Sequence, residues 1–564
     1  MENSFIYKND RPWPNPRLKR AAIIGHTTET STRIWFRTAA PGKFTLLLYP
    51  ASADPNGDLL NGFKTVPYEL PADLPDYVLK KSITIADYSK DSTCVVDVEE
   101  LKPLTEYCYA LHGEEDGKSR ILIGQDRHYR FRTLPAKKSS HSFAFYSCHM
   151  PYQHSIFGGT NVVNIEMWDV LNDVMKRHYA NDFRFLIGGG DQVYVDGVKT
   201  LDIWKYLNKV MKKENEDLHP SIEEMATWYR DIYRGYWGFP AVKEAFSNYP
   251  TYMIWDDHEL KDGWGSDFLK EDGADDLDEI FPDRKARKLS RPDCRELLER
   301  MGKAAFQVYE EYQHSHNPDT PDGQYDYSVS SDCCSLYFLD GRSCRDVNRR
   351  SRRISGQVQL KRFIDWLEAL DPARAQYIFV VSAVPLLHMT PVIVNADDTV
   401  TADLADLQDD LRDAWEHKLH DSERKVIVNA LFEAAGRGLK ISILSGDVHT
   451  SAVFRMVDNT QQSVIYQLTS SAITYNLPRM LGWVLGNTVP DEGKSPDGYN
   501  FERLALYTDS NFSIVHVDPA ADEVTFQLYG KQHVSHPKGE VEDKPMTHAI
   551  AKIKLDFRFN KKSE

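Results

Sequence analysis

Phe185-Leu186-Ile187-Gly188-Gly189-Gly190-Asp191-Gln192-Val193-Tyr194 runs from an apolar strand through three glycines into an acid. A strand that ends this way places a carboxylate at the carboxyl edge of a sheet, where ligands gather in open α/β folds. The glycines let backbone approach closely without Cβ clashes. Alone, the segment reads equally well as a strand-ending turn with Asp191 capping the next helix. Outward from it the pattern repeats. Short apolar strands at 143–146, 183–187, 250–255, 335–339, 377–381 and 441–444 alternate with helix-patterned runs at 163–178, 221–236 and 356–370. Alternation sustained over about 400 residues predicts a layered α/β domain with helices covering a central sheet.

Two further strands end in chemistry. Thr251-Tyr252-Met253-Ile254-Trp255-Asp256-Asp257-His258-Glu259 sets four ionisable residues directly after an apolar run. Adjacent carboxylates repel unless a cation or solvent offsets them, so a solvated acidic loop is the plain alternative. Ile441-Ser442-Ile443-Leu444-Ser445-Gly446-Asp447-Val448-His449 places Asp447 and His449 two apart, on one side of an extended backbone. A single Asp-x-His pair is commonplace. Three such clusters at strand ends of one domain make an oxygen and imidazole donor set suited to two cations.

Before residue 141 the pattern is different. Residues 21–25, 32–37, 43–49, 94–98, 106–112 and 128–133 are short β-rich runs between polar turns. They predict a small sandwich similar to fibronectin type III domains. A chain of 564 residues exceeds one hydrophobic core. The expected division is an N-terminal extension (1–20), the sandwich (21–135), a linker (134–141) and the α/β domain (141–564), with insertions at about 197–248 and 260–300. The last strand-rich stretches, 513–517, 523–528 and 549–557, are expected to close the second sheet.

Hydrophobic residues at 41% and charged residues at 27% are the balance of an ordinary globular chain. No apolar run is long enough to span a bilayer as a helix. Residues 1–20 are polar and proline-rich, without a signal-like apolar segment, so a cytoplasmic location is expected. A mature secreted form with its leader removed would begin the same way. The net charge, 68 − 84 = −16, repels nucleic acid backbones, and no nucleic acid partner is expected. It also repels anionic small molecules unless the pocket carries cations. Arg349, Arg350, Arg352 and Arg353 form the strong basic cluster, read as a solvated loop or as a peripheral contact for anionic lipid headgroups. The seven cysteines (Cys94, Cys108, Cys148, Cys294, Cys333, Cys334, Cys344) are a poor disulfide framework with no CxxC zinc pattern. Most are expected to be small buried apolar side chains.

Gly190-Asp191, Asp257-His258-Glu259 and Gly446-Asp447-Val448-His449 resemble the ordered motifs of calcineurin-like metallophosphoesterases, and most closely those of the PhoD-like alkaline phosphatases and phosphodiesterases. Tyr146-Ser147-Cys148, Leu339-Asp340-Gly341-Arg342-Ser343-Cys344-Arg345, Gly356-Gln357-Val358-Gln359, Trp366-Leu367, Ser382-Ala383-Val384-Pro385 and Thr469-Ser470-Ser471 extend the resemblance over nearly the whole chain. It implies a layered α/β/β/α domain behind the sandwich and hydrolysis of phosphate esters by a metal-bound hydroxide. It further implies a dinuclear or trinuclear centre of Fe3+ plus Ca2+. Cys148, Asp191, Tyr194 and His449 would hold the iron, Asp191 would bridge, and Asp257 and Asp447 would hold the calcium. General ligand preferences agree: thiolate, phenolate and imidazole suit iron, carboxylates calcium.

His258 would protonate the leaving alkoxide or orient the phosphate. Arg342 and Arg345 would contact phosphate, the alternative being helix-cap or surface positions. Three departures stand out. Asp257 occupies a position where the superfamily's commoner motif has Asn, and Gly263 one where the family has Asn, leaving Asp262 as a substitute. The remaining ligand, drawn from the region of 382–385 in relatives, is not identified. Phosphodiesters including phospholipids (phospholipase D-like cleavage) are the favoured substrates, monoesters next, with a catalytically inactive binding protein as the alternative of another class.

Overall fold

The computed structural model describes residues 11–559, except 57–58, 60–73, 116, 125–128, 156–157, 181, 212–219, 268, 270–275, 283, 286–287, 332, 349–353, 375, 389–411, 476–487, 496 and 536–540. The basic cluster Arg349–Arg353 therefore lies outside the described residues.

Thr32–Arg37 is the middle strand of a three-stranded antiparallel sheet, between Ala21–Thr27 and Thr93–Val98. Ile34 and Phe36 enter a core shared with Leu46, Leu48, Tyr109 and Leu111 of a second antiparallel sheet. Trp35 points the opposite way, and its Nε1 donates to the Glu311 carbonyl at 2.7 Å. Both faces of this strand are buried, which is why its alternation is imperfect in the sequence. Each large apolar side chain so enclosed contributes roughly 1.5–3 kcal/mol. The following residue, Arg37, pairs with buried Asp91 through two hydrogen bonds of 2.9 Å, and Arg234 adds a third at 3.2 Å.

Burial pushes the Asp91 carboxyl up, but Arg37 and Arg234 outweigh it and bring the pKa from 3.8 to about 2. A carboxylate with a depressed folded pKa stabilises above its unfolded value, and that stability is lost as pH falls through the folded one. The gap in melting temperature between wild type and Asp91→Asn should therefore narrow as pH falls from about 4 to about 2. A gap independent of pH would show that the ion pair adds nothing.

Two larger sheets carry the rest. Among the described residues the first has seven strands, in the order Thr251–Ile254, Phe183–Gly189, His141–Tyr146, Asn511–Asp518, Glu523–Ser535, Val541–Pro545, with Ala551–Leu555 also on Glu523–Ser535. Its first three strands are parallel. The second has eight, in the order Tyr327–Ser331, Cys334–Leu339, Tyr377–Ser382, Lys440–Ser445, Ser463–Thr469, Ser451–Asp458, Asn500–Tyr507, Glu492–Lys494. Cys334–Leu339 through Ser463–Thr469 are parallel there. The sheets meet face to face, with Phe143 of one edge-on to Phe379 of the other at 5.0 Å. Helices cover the outer faces: Trp168 of Glu166–His178 lies against Tyr146, and Phe363 of Gly356–Ala369 against Tyr337. Strands enclosed on both sides read as unbroken apolar runs, as Tyr377-Ile378-Phe379-Val380-Val381 does.

One expectation changes. Asn511–Asp518 and Glu523–Ser535 do not close the second sheet; they extend the first, with Val515 opposite Phe143. Period-two patterning says that a strand is buried but not beside which partner. A 22-residue helix, Arg291–Tyr312, begins within the expected insertion at about 260–300. Its start is a capping box: Ser290 Oγ accepts from Asp293 N at 3.2 Å, and Asp293 accepts from Ser290 N at 2.8 Å. Tyr309 of this helix stacks on Trp255 at 4.0 Å, and Glu311 binds Arg230 at 2.7 Å. The helix thus buttresses the strand end that carries Asp257. No helix among the described residues is long and apolar enough to cross a membrane.

Candidate metal centre

Each expected donor follows the carboxyl end of a parallel strand: Cys148 after His141–Tyr146, Asp191 after Phe183–Gly189, Asp257 after Thr251–Ile254, and Asp447 and His449 after Lys440–Ser445. Four of them have left-handed backbone, with φ of 54° at Cys148, 55° at Asp191, 62° at Asp447 and 52° at His449. That region is costly for non-glycine residues, on the order of 1–3 kcal/mol each where it is strained, and such residues concentrate at functional sites. Gly446 makes a close approach feasible, since a Cβ there would lie 2.4 Å from the Ser147 side chain.

The side chains converge. Cys148 Sγ lies 3.4 Å from Asp191 Oδ2 and 3.1 Å from Ser471 Oγ. The Tyr194 hydroxyl donates to Asp191 Oδ2 at 3.2 Å and lies 3.2 Å from His449 Nε2. Tyr475, which sequence reasoning missed, stacks on His449 at 3.7 Å. Burial lowers the His449 pKa to about 3, which keeps its imidazole neutral and its lone pair available. On the other side Asp191, Asp256, Asp257 and Asp447 bring carboxylate oxygens within 4.8 Å of one another. His258 joins Asp191 and Asp257 in a further group of that size, and Cys148, Asp191 and His449 form another.

The positive groups against this arrangement, Arg342 beside Asp256 and Asp257 and the His258 imidazole, are outnumbered by its carboxylates. Burial, then Asp256, pushes the Asp447 carboxyl well above the usual range. Burial does the same to Asp191, and burial followed by Asp191 raises the Cys148 thiol. Asp191 Oδ1, Asp256 Oδ2 and Asp257 Oδ1 are buried without a hydrogen-bond partner. Buried, crowded acceptors of this kind are expensive unless a cation satisfies them. The donor set therefore fits metal ions, a thiol, phenol and imidazole on one side of Asp191 and carboxylates on the other.

Arg342 and Arg345, the expected phosphate contacts, are not surface residues. Both are buried. Arg342 pairs with Asp256 through Nε and forks onto Asp413 with two bonds of 2.7 Å, while Nη2 lies 3.5 Å from Asp257. Arg345 binds Ser266 Oγ at 2.9 Å and the Asp413 carbonyl. Both guanidiniums brace the acidic loop, and the buried Nη1 of Arg345 has no hydrogen-bond partner.

Gly263, at the departure from the family's Asn, fixes Asp257 instead through its backbone: its N–H donates to Asp257 Oδ2 at 2.7 Å. Asp262 sits 4.0 Å from His258 Nε2 and belongs to none of the donor groups among the described residues. Nor does any residue of 382–385, where Ser382 Oγ donates to the Val384 carbonyl.

Asp196, Asp256 and Glu259 were missed as functional residues. Asp196 Oδ1 lies 2.8 Å from His258 Nδ1. Burial pulls the His258 pKa down, but Asp196 and Asp257 prevail and hold the imidazole charged well above the usual histidine range. Asp196 was invisible because only the fold brings it to a residue 62 positions away. Glu259 accepts from the backbone N–H of Asp191 (3.2 Å), Gln192 (2.7 Å) and Asp256 (2.9 Å), tying two ligand loops together. It stands inside the quoted Asp257-His258-Glu259 motif, so the signal was present. Glu259→Ala should weaken metal affinity by roughly 10–100-fold in a chelator competition, the range for groups that orient ligands. Unchanged affinity would show that the loops hold themselves.

The sequence pattern of the family described as PhoD-like phosphatase matches residues 143–501, more than half of the chain. An uncharacterised protein of Saccharomyces cerevisiae, YGR266W, is 23% identical over 390 residues, 58% of this chain and 52% of the relative. The chain thus spans about half the length of the curated relative it matches. The solved structure of PhoD is similar with a TM-score of 0.59 at 15% identity, covering 95% of this chain and 91% of that one. Purple acid phosphatase PPD1 from yellow lupin (Lupinus luteus) seeds is similar with a TM-score of 0.51 at 10% identity, covering 94% and 74%. At these identities the two structures establish a common mixed α/β fold.

Proposed function

We propose, from the premise that this chain belongs to the PhoD-like phosphatase family, that it hydrolyses phosphate esters at a multi-metal centre and prefers phosphodiesters, phospholipids included. The observation that carries this reading is the set of buried carboxylate oxygens without hydrogen-bond partners at Asp191, Asp256 and Asp257, beside His258. Cys148, Asp191, Tyr194 and His449 would hold one ion, with Fe3+ matching those donors, and Asp191, Asp257 and Asp447 a second, with Ca2+ matching carboxylates. Metal ions there would neutralise phosphoryl oxygens and acidify water.

The chain's own contribution is proton management and position. Asp196 accepts from His258 Nδ1, which leaves the second ring proton on Nε2. That proton is the one to pass to the leaving alkoxide oxygen. Arg342 holds Asp256 and Asp257 in register from behind. A cavity of about 370 Å³ adjoins Asp196 and Asp262, with Trp204 and Phe281 on one part of its wall and Arg284 on another. An amphipathic space of that size favours a diester, whose second substituent needs a place, over a simple monoester. The two N-terminal sheets are read as a fibronectin type III-like module, with residues 21–135 as one unit and 141–564 as the catalytic one.

Metal analysis followed by assays on a nitrophenyl phosphate monoester, the corresponding diester and phosphatidylcholine tests the reading. Turnover of the diester or the phospholipid above that of the monoester is expected. Turnover confined to the monoester would reject the substrate choice, and a chain without metal or turnover would be a binding protein. In the same assay His258→Ala should lower kcat by about 10²–10⁴-fold with metal content retained. Full turnover in that variant would remove His258 from the reaction.

A further inference from the structure

At the end of the two sheets away from the carboxylate cluster, His141 meets Cys333 and Cys334. His141 opens the strand His141–Tyr146 and Cys334 opens Cys334–Leu339, whereas the donors described above follow strand carboxyl ends. Side chains alternate along a strand, so His141 shares a face with Phe143, which meets Phe379 across the sheets. Cys334 likewise shares a face with Phe338, which lies 6.1 Å from Tyr252 of the opposite sheet. The three residues therefore bridge the layer between the sheets. All are buried, at 1%, 0% and 1% exposure. One imidazole nitrogen and two sulfurs lie within 4.8 Å of one another.

The imidazole is oriented for a ligand. His141 Nδ1 lies 3.3 Å from the Ser139 carbonyl, which can only accept, so Nδ1 carries the proton and Nε2 the lone pair. Nε2 is buried and has no hydrogen-bond partner. A carbonyl that fixes the tautomer from behind is the usual outer partner of a metal-binding histidine. A buried nitrogen without a partner is otherwise unfavourable. Two thiolates and Zn2+ sum to zero charge, and two thiolates with Cu+ to a single negative charge, so the filled site carries less of the desolvation cost that isolated charges incur.

We propose that His141, Cys333 and Cys334 form a second, structural metal site for a soft cation, Zn2+ or Cu+, that fastens the two sheets at the end opposite the hydrolytic centre. Thiolate and imidazole donors select these ions over Ca2+ or Mg2+. Three donors match a trigonal Cu+ site, and Zn2+ would take one further donor. The link joins positions about 190 residues apart, where tying the chain restricts the unfolded state most.

The test uses the full chain carrying Cys148→Ser, so that no thiol remains at the hydrolytic centre, expressed with added Zn2+ or with added Cu+. Elemental analysis should find about one equivalent of the soft metal that is absent after Cys333→Ser or His141→Gln. Replacement by Co2+ should give a thiolate-to-cobalt charge-transfer band that both substitutions abolish. Equal metal content and equal spectra with and without the substitutions would overturn the proposal, as would an intact mass showing Cys333 and Cys334 joined as a disulfide. Should the substituted chains misfold, alkylation of Cys333 and Cys334 in the unsubstituted chain, read by peptide mass mapping under mild denaturant, decides instead. Added metal must protect both thiols; equal labelling with and without metal overturns the site.

Discussion

Asp191→Ala should empty the hydrolytic centre of metal and reduce turnover to background. Asp191 is the residue on which both donor groups converge: Oδ2 faces Cys148 and Tyr194, and Oδ1 is buried without a partner. No neighbour can replace it, because its aim depends on a left-handed turn that follows Gly190 and is held by Glu259. Removing one carboxylate from this crowd also relieves repulsion among Asp256, Asp257 and Asp447, so the variant should fold at least as stably as metal-free wild type. The measurement is metal content by elemental analysis beside diester turnover and a melting curve. Retention of both metals would show that Asp191 is peripheral. Loss of metal together with a collapsed melting temperature would show a structural role instead.

Arg342→Met should be the most destabilising single change near the site, by about 3–5 kcal/mol, the range for breaking a buried ion pair from one side. The guanidinium is fully enclosed and lies against Asp256, Asp257 and Asp413. Without it buried Asp256 and Asp257 lose their guanidinium partner, and Asp413 keeps only Arg345. Arg342→Lys should recover only part of the loss, since an ammonium cannot reproduce the two parallel bonds to Asp413. Thermal unfolding of the metal-free proteins gives the comparison. A methionine variant as stable as wild type would mean that these acids are neutral in the folded chain.

The strand ends were legible because the sequence writes them locally. An apolar run followed by glycine and an acid needs only its own neighbours to be recognised; Asp191 and Asp447 follow that form, and Asp256 and Asp257 follow their apolar run directly. The helix Arg291–Tyr312 was equally legible through Ser290 and Asp293, yet the acidic stretch before it obscured the cap. Arg342 and Arg345 were read as phosphate contacts from their chemistry alone, which says what a guanidinium can bind and nothing about what reaches it first.

The sequence by itself determined the layered α/β character, the positions of the ligand-bearing strand ends and the family to which they belong. These rest on patterns a few residues long, where burial and turn chemistry act on adjacent side chains. Tertiary structure alone decided that the last strands extend the first sheet and that Asp196 holds His258. It alone seals Arg342 among acids and brings His141 to Cys333 and Cys334. Each of these joins residues distant in the chain, and their pairing is fixed by how whole sheets pack rather than by any local preference.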